Sequence, residues 1–92
     1  MALLFEWDPN KARNNHEKHH VSFEEATTVF GDPQSITIPD PIHSVSEKRF
    51  VVIGLSYRLH VLIVVFTERG DRIRIISSRL ASRRERRMYE KK

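Results

Sequence analysis

Ninety-two residues, 39% of them hydrophobic and 30% charged, suit one small domain with a modest core and are not the composition of a disordered chain. The longest apolar run, Val61 to Phe66, is far short of the roughly 20 residues a membrane-spanning helix needs. The N-terminal MALLFEWDP meets Glu6 with no basic lead, so it does not read as a secretory signal. With no cysteine, a disulfide framework, a thiolate metal site and a cysteine nucleophile are excluded, and a cytoplasmic protein is expected.

The net charge of +4 is divided unevenly. Residues 1–46 hold three Lys/Arg against seven Asp/Glu, residues 47–92 thirteen against five, and eight of the eleven arginines fall between Arg69 and Arg87. A basic half this dense implies an anionic partner, nucleic acid or an acidic protein, unless it is simply a solvated basic face.

Along the chain, Leu3, Phe5 and Trp7 alternate with polar or outward residues and predict a short first strand. Asp8-Pro9 reads as an N-cap with proline at the first helical position, opening a helix to about His19. Ala12 is its one apolar residue, so the helix is either exposed or lines a polar groove. Ser22 and Glu25 fit a capping box, and Phe23, Ala26, Thr27 and Phe30 then recur at helical spacing. Gly31 stands where a left-handed C-terminal residue belongs, before the helix-ending Asp32-Pro33.

Ser35 to Ile38 suggests a short strand, and PDPIHSVS, with two prolines and no periodicity, a loop. Three strand-like runs follow, Lys48–Ser56, His60–Thr67 and Arg72–Arg79, and their tight connections predict an antiparallel meander. VLIVVF is apolar on both faces, as a covered central strand would be. In RIRIIS, Ile73 and Ile75 point one way, Arg72 and Arg74 the other. Ser82 and Glu85 fit a second capping box, opening a helix to about Glu90 whose thin apolar side would be Ala81, Arg84 and Met88.

Several groups are candidates for chemistry. HEKHH, residues 16–20, satisfies the H-E-x-x-H zinc-protease pattern, but His20 falls where the helix should end and no third ligand is evident. The same stretch places Asn15, Lys18 and His19 where a cation and an imidazole could face a phosphate. Arg49 and Arg79, on strand-like runs, suit bidentate phosphate contacts or pairing with Glu47 or Glu85. Tyr89 could stack on a base, donate its proton, or cover the sheet.

FEWDPNKARNNHEKHHVSFEEA, EKRFVVIGLS and RIRIISSRLASRRERRMYE together resemble the BrnT toxins of bacterial type II toxin–antitoxin systems, over nearly the whole chain and in the same order. The family's N-x-x-K-H-G-V falls on Asn15, Lys18, His19, His20 and Val21, and its E-x-R on Glu47 and Arg49. S-A-R falls on Ser77, Ser78 and Arg79, and the closing E-R…Y-E on Glu85, Arg86, Tyr89 and Glu90. His20 stands where glycine is usual and Ser78 replaces alanine.

The resemblance implies a small α+β domain over residues 1–92, with an antiparallel sheet packed by two N-terminal helices and a C-terminal helix, like the RelE-type ribonucleases. It implies RNA cleavage without metal or cofactor, halting translation. Arg49 and Arg79 would take the phosphate, Lys18 assisting. His19 or Glu47 would be the base, and Tyr89 or His19 the acid. Arg72, Arg74, Arg83 and Arg86 would steer RNA by the salt-dependent phosphate attraction. The implied partner is a BrnA-type ribbon-helix-helix antitoxin, in an assembly that can be of higher order. The competing reading is a basic nucleic-acid- or protein-binding module without chemistry.

Overall fold

Five strands hydrogen-bond in the order β1-β5-β4-β3-β2 in the computed structural model. It describes residues 3–91, and Met1, Ala2 and Lys92 of the expected domain span lie outside the described residues. The strands are β1 Leu4–Glu6, β2 Ile36–Pro39, β3 Arg49–Leu55, β4 Val61–Arg69 and β5 Arg72–Leu80. The helices are α1 Pro9–His19, α2 Phe23–Thr28 and α3 Arg83–Glu90. None of them is long and apolar enough to cross a membrane.

The expected antiparallel sheet is mixed. β2 to β5 form antiparallel pairs, but β1 lies parallel to β5, with Leu4 opposite Arg72, Phe5 opposite Ile73 and Glu6 opposite Arg74. Alternation specifies which side chains face the core and is silent on strand direction. A strand separated from its partner by helices is free to pair in parallel.

β4 is central, as its doubly apolar sequence predicts. Leu62, Val64 and Phe66 join Val52, Ile75 and the residues Val21, Phe23, Ala26 and Val29 in the main core, while Ile63 joins Ile53 and Ala81 in a smaller cluster. Thus α1 and α2 accompany the main core, and α3 accompanies the smaller cluster through Tyr89. Gly54 on β3 permits the close approach of the segment after α2. A Cβ there would stand 3.1 Å from the Val29 Cβ and 3.2 Å from the Val29 carbonyl.

Asp8 caps α1 through the Asn10 N–H, with Pro9 at the first helical position, and α1 ends at His20 in the left-handed region (φ 59°, ψ 28°). Histidine tolerates this conformation at a cost glycine does not incur. His20→Gly is therefore expected to stabilise the fold by about 0.5–1 kcal/mol, measured as a raised urea midpoint with an unchanged slope.

The first capping box is half formed. Ser22 accepts from the Glu25 N–H, but the buried Glu25 carboxylate instead accepts from the Ser56 hydroxyl at 2.6 Å and meets His60 Nδ1 at 2.9 Å. A partner in the fold outcompeted the local one. Gly31 is not left-handed: α2 passes into a 3₁₀ turn, Val29–Gly31, closed by the Asp32 N–H on the Val29 carbonyl.

The second box, Ser82 with Glu85, forms in full. The inward residues of α3 are Glu85 and Tyr89, one turn apart, whereas Arg84 and Met88 are exposed. An arginine, however long its stem, keeps its head in water unless paired, and Tyr89 offers the larger apolar face.

Candidate active site

Where β4 pairs with β5, Val65 is opposite Ser77 but Phe66 is opposite Ile75, so Ile76 is an extra residue and the strand bulges. On either side of it Ile75 and Ser78 are buried, while Ile76 and Ser77 are half-buried. Bulges re-aim side chains in this way. Ile76 and Ser77 form the shared floor of two adjoining depressions of about 240 and 200 Å³. The first is walled by α1 through Lys11, Asn14, Asn15, Lys18 and His19. The second is walled by Asp40, His43, Arg49 and Val65.

The α1 wall is held by Asn15. Its amide donates to the Ser78 carbonyl at 2.7 Å and the Val21 carbonyl at 3.0 Å, and its oxygen accepts the Ser78 N–H at 3.0 Å. Asn15 thus supplies both groups that a neighbouring strand would offer Ser78, on the edge of β5 beyond the reach of β1. This explains a helix with almost no apolar residue. The Ser78 hydroxyl is buried with no hydrogen-bond partner among the described residues. Ser78→Ala, which removes that unpaired hydroxyl, is expected to leave stability unchanged or raise it by up to about 1 kcal/mol in urea denaturation.

The opposite wall is clamped to the first residue of β3. Asp40 donates its N–H to the Arg49 carbonyl (2.9 Å), Arg49 donates its N–H to the Ser44 hydroxyl (2.9 Å), and that hydroxyl donates to the Asp40 carbonyl (2.6 Å). Within this closed loop, a 3₁₀ turn at Pro41–His43 sets His43 Nδ1 2.8 Å from the Asp40 carboxylate.

Lys18, His19 and Arg49 are therefore brought to one floor, and the other sequence candidates are placed elsewhere or engaged. Arg79 follows on β5 but grips Glu85 with both terminal nitrogens, at 2.8 and 2.9 Å. Glu47 is 3.5 Å from Arg69, and Arg74 is 2.8 Å from Glu6, its cross-strand neighbour. Tyr89 donates its hydroxyl to Asp32 at 2.6 Å and lines a different depression, with Leu55, His60 and Arg86. Arg72, Arg83 and Arg86 are exposed.

Charge pairing is reflected in the ionisation of these groups. Hydrogen bonding to Arg79, with the Ser82 N–H and hydroxyl contributing, draws the Glu85 carboxyl down to about 2 against the opposing effect of burial, and the same pair raises Arg79. The Asp32 hydrogen bond, with burial, pushes the Tyr89 phenol up to about 12.

For Glu85 the folded state holds its proton less tightly than the unfolded chain, whose carboxyl titrates near 4.5. The stabilisation is thus complete above pH 4.5 and is lost as pH falls towards 2. Glu85→Gln is expected to flatten that limb of the stability–pH curve while lowering stability at pH 7, as thermal melts across pH 2–7 would show.

Lys11, Asp40 and His43 were not singled out by sequence reasoning. Lys11 lies one turn before Asn15, and that spacing was a usable signal. Asp40 and His43 sit in a proline-bounded loop without periodicity, so none was available. Among the described residues no group of three or more His, Cys, Asp or Glu side chains is placed to hold a metal. His20, capping α1, breaks the helical phase the H-E-x-x-H pattern needs.

The crystal structure of the Brucella abortus ribonuclease toxin BrnT, determined at 1.1 Å, superposes with a TM-score of 0.70 at 24% sequence identity. The match covers 89% of this chain and all of that one, which establishes a shared α+β fold with a mixed five-stranded sheet. No curated relative matches by sequence. A profile of the family described as "Ribonuclease toxin, BrnT, of type II toxin-antitoxin system" matches residues 7–85, from Trp7 of the core through the Glu85 that grips Arg79. The chain belongs to the BrnT family of ribonuclease toxins.

Proposed function

We propose that this chain, like RelE-type ribonucleases in fold, is a metal-independent endoribonuclease that acts in the cytoplasm and stops translation by directing a ribose 2′-hydroxyl against the adjacent phosphorus. The carrying observation is the shared Ile76–Ser77 floor, with Lys18 and His19 on one side and Arg49 on the other. Such cleavage needs a base for the hydroxyl, cations for the phosphorane and an acid for the departing 5′-oxygen. The Arg49 fork suits the two non-bridging oxygens, and Lys18 adds a point charge. Arg79 contributes from β5 two residues beyond Ser77, on terms set by its pair with Glu85.

Of the proton-transfer candidates, Glu47 is paired with Arg69 and the Tyr89 proton is committed to Asp32. His19 alone of the three stands in the groove, and is assigned the acid role. Arg72, Arg83 and Arg86 attract RNA through its phosphates, and Arg74 acts from its pair with Glu6. A toxin of this kind has an antitoxin. A BrnA-type ribbon-helix-helix protein is the proposed partner, in an assembly of toxin and antitoxin chains.

The test is incubation of the purified chain, with EDTA, with a 5′-labelled RNA and the same RNA 2′-O-methylated throughout. Cleavage of the first alone is expected. An RNA bound but left intact would instead mark a non-catalytic basic module, and loss of activity to chelator would sink metal independence.

A further inference from the structure

We infer that His43, held by Asp40, is the general base of the RNA-cleaving reaction. The inference rests on the ribonuclease reading above and supplies the group that reading lacks, since neither Glu47 nor Tyr89 lies in the groove. Four observations converge. His43 lines the depression that contains Arg49 and shares the Ile76–Ser77 floor with His19. Its Nδ1 is 2.8 Å from the Asp40 carboxylate. The Asp40 backbone is in turn tied to the Arg49 carbonyl and the Ser44 hydroxyl, so the dyad is anchored to the strand that carries Arg49. The imidazole is largely open to solvent, 66% exposed, while Asp40 is 21% exposed, which leaves the ring accessible to a polymer substrate and its anchor sheltered.

The chemistry follows from the hydrogen bond. A carboxylate can only accept, so Nδ1 carries the proton and the Nε2 lone pair is left to act as base. In the proposed step Nε2 takes the 2′-hydroxyl proton as O2′ bonds to phosphorus. The bond from phosphorus to O5′ breaks, and O5′ takes a proton from the His19 imidazolium. The products are a 2′,3′-cyclic phosphate and a 5′-hydroxyl, with no oxidant, reductant or metal required. In-line displacement needs base and acid on opposite sides of the phosphorus, the arrangement that two histidines from opposite walls of one floor provide. The charged and polar groups around His43 are Asp40 and Ser44 of its own loop and Arg49 of β3, while Lys11, Lys18 and His19 of α1 line the adjoining depression on the shared floor. Asp40 is a positioning residue.

The test compares wild type, His43→Ala, Asp40→Asn and His19→Ala on labelled RNA and on the same RNA with a 5′-bridging sulfur at the scissile bond, whose departure needs no acid. His43→Ala is expected to lower kcat by about 10²–10⁴-fold with KM and the melting temperature unchanged. Added imidazole should restore part of that rate, and the sulfur leaving group should not. Asp40→Asn, whose amide favours the wrong tautomer, should lower kcat with KM held. His19→Ala should be rescued by the sulfur.

A folded His43→Ala protein that cleaves RNA at the wild-type rate would overturn the inference and leave the ribonuclease reading standing. Rescue of His43→Ala by sulfur but not by imidazole would overturn the base assignment. Wild-type protein that leaves RNA intact would overturn the underlying reading and this inference with it.

Discussion

Arg49→Ala is expected to lower RNA cleavage by about 10²–10³-fold while the protein folds and melts as the wild type does. Arg49 opens β3, and its backbone N–H and carbonyl, not its guanidinium, make the contacts that close the Asp40–Ser44 loop. Truncation beyond Cβ therefore leaves the wall of the groove standing and removes only the cation. The loss corresponds to about 2.7–4 kcal/mol of transition-state stabilisation, a typical figure for one donor aimed at developing negative charge.

Arg49→Lys keeps the charge without the fork and should fall between the two. Arg79→Ala is a different experiment, because Arg79 also holds Glu85 and through it the start of α3. Its activity must be read beside its melting temperature, and the Arg49, Arg79 double variant should be inactive. Single-turnover cleavage of a labelled RNA at saturating enzyme, with circular dichroism melts of each variant, checks all of these. A folded Arg49→Ala protein cleaving at the wild-type rate would remove Arg49 from the phosphate site.

Much of the architecture was legible because the strong signals are local. Asp8-Pro9, Ser22 and Ser82 mark helix starts, and the doubly apolar VLIVVF marks the central strand. What escaped depends on partners distant in sequence. The three residues of β1 alternate identically in either direction, so pairing with β5 decided what pattern could not. Glu25 has the spacing of a capping box and was drawn away by Ser56 and His60, 31 and 35 residues on.

The bulge is hidden within RIRIISS, where Ile75 and Ile76 are both apolar and nothing marks which is the extra residue. That one residue turns Ile76 and Ser77 into the floor of the groove. The site was accordingly readable in its charged members, Lys18, His19 and Arg49. It was unreadable in the Asp40–His43 wall, whose place depends on three hydrogen bonds closing a loop around Arg49.

Asn15→Ala should be among the most destabilising single changes in this molecule and should abolish activity as well. Asn15 is 8% exposed and makes three hydrogen bonds, two of them to the backbone of Ser78, itself 1% exposed. Removing the amide leaves a buried N–H and two buried carbonyls in need of partners, at about 1–3 kcal/mol for each group that finds none. A total of about 2–4 kcal/mol would lower the melting temperature of a chain this size by roughly 10–25 °C.

The effect on activity follows from what α1 lacks. With Ala12 its one apolar residue, the helix has little burial to hold it against the sheet. Once Asn15 is gone, Lys18 and His19 lose their fixed place beside Ile76 and Ser77. The kinetic signature differs from that of Arg49→Ala, because cleavage should fall together with thermal stability and recover partly on cooling, as the helix redocks. Asn15→Asp separates the two contributions of the side chain. It keeps an acceptor for the Ser78 N–H but turns a carboxylate towards the Ser78 and Val21 carbonyls, so it should destabilise at least as much as alanine at pH 7. An Asn15→Ala protein that melts within a few degrees of the wild type would show that α1 is held by something other than this amide.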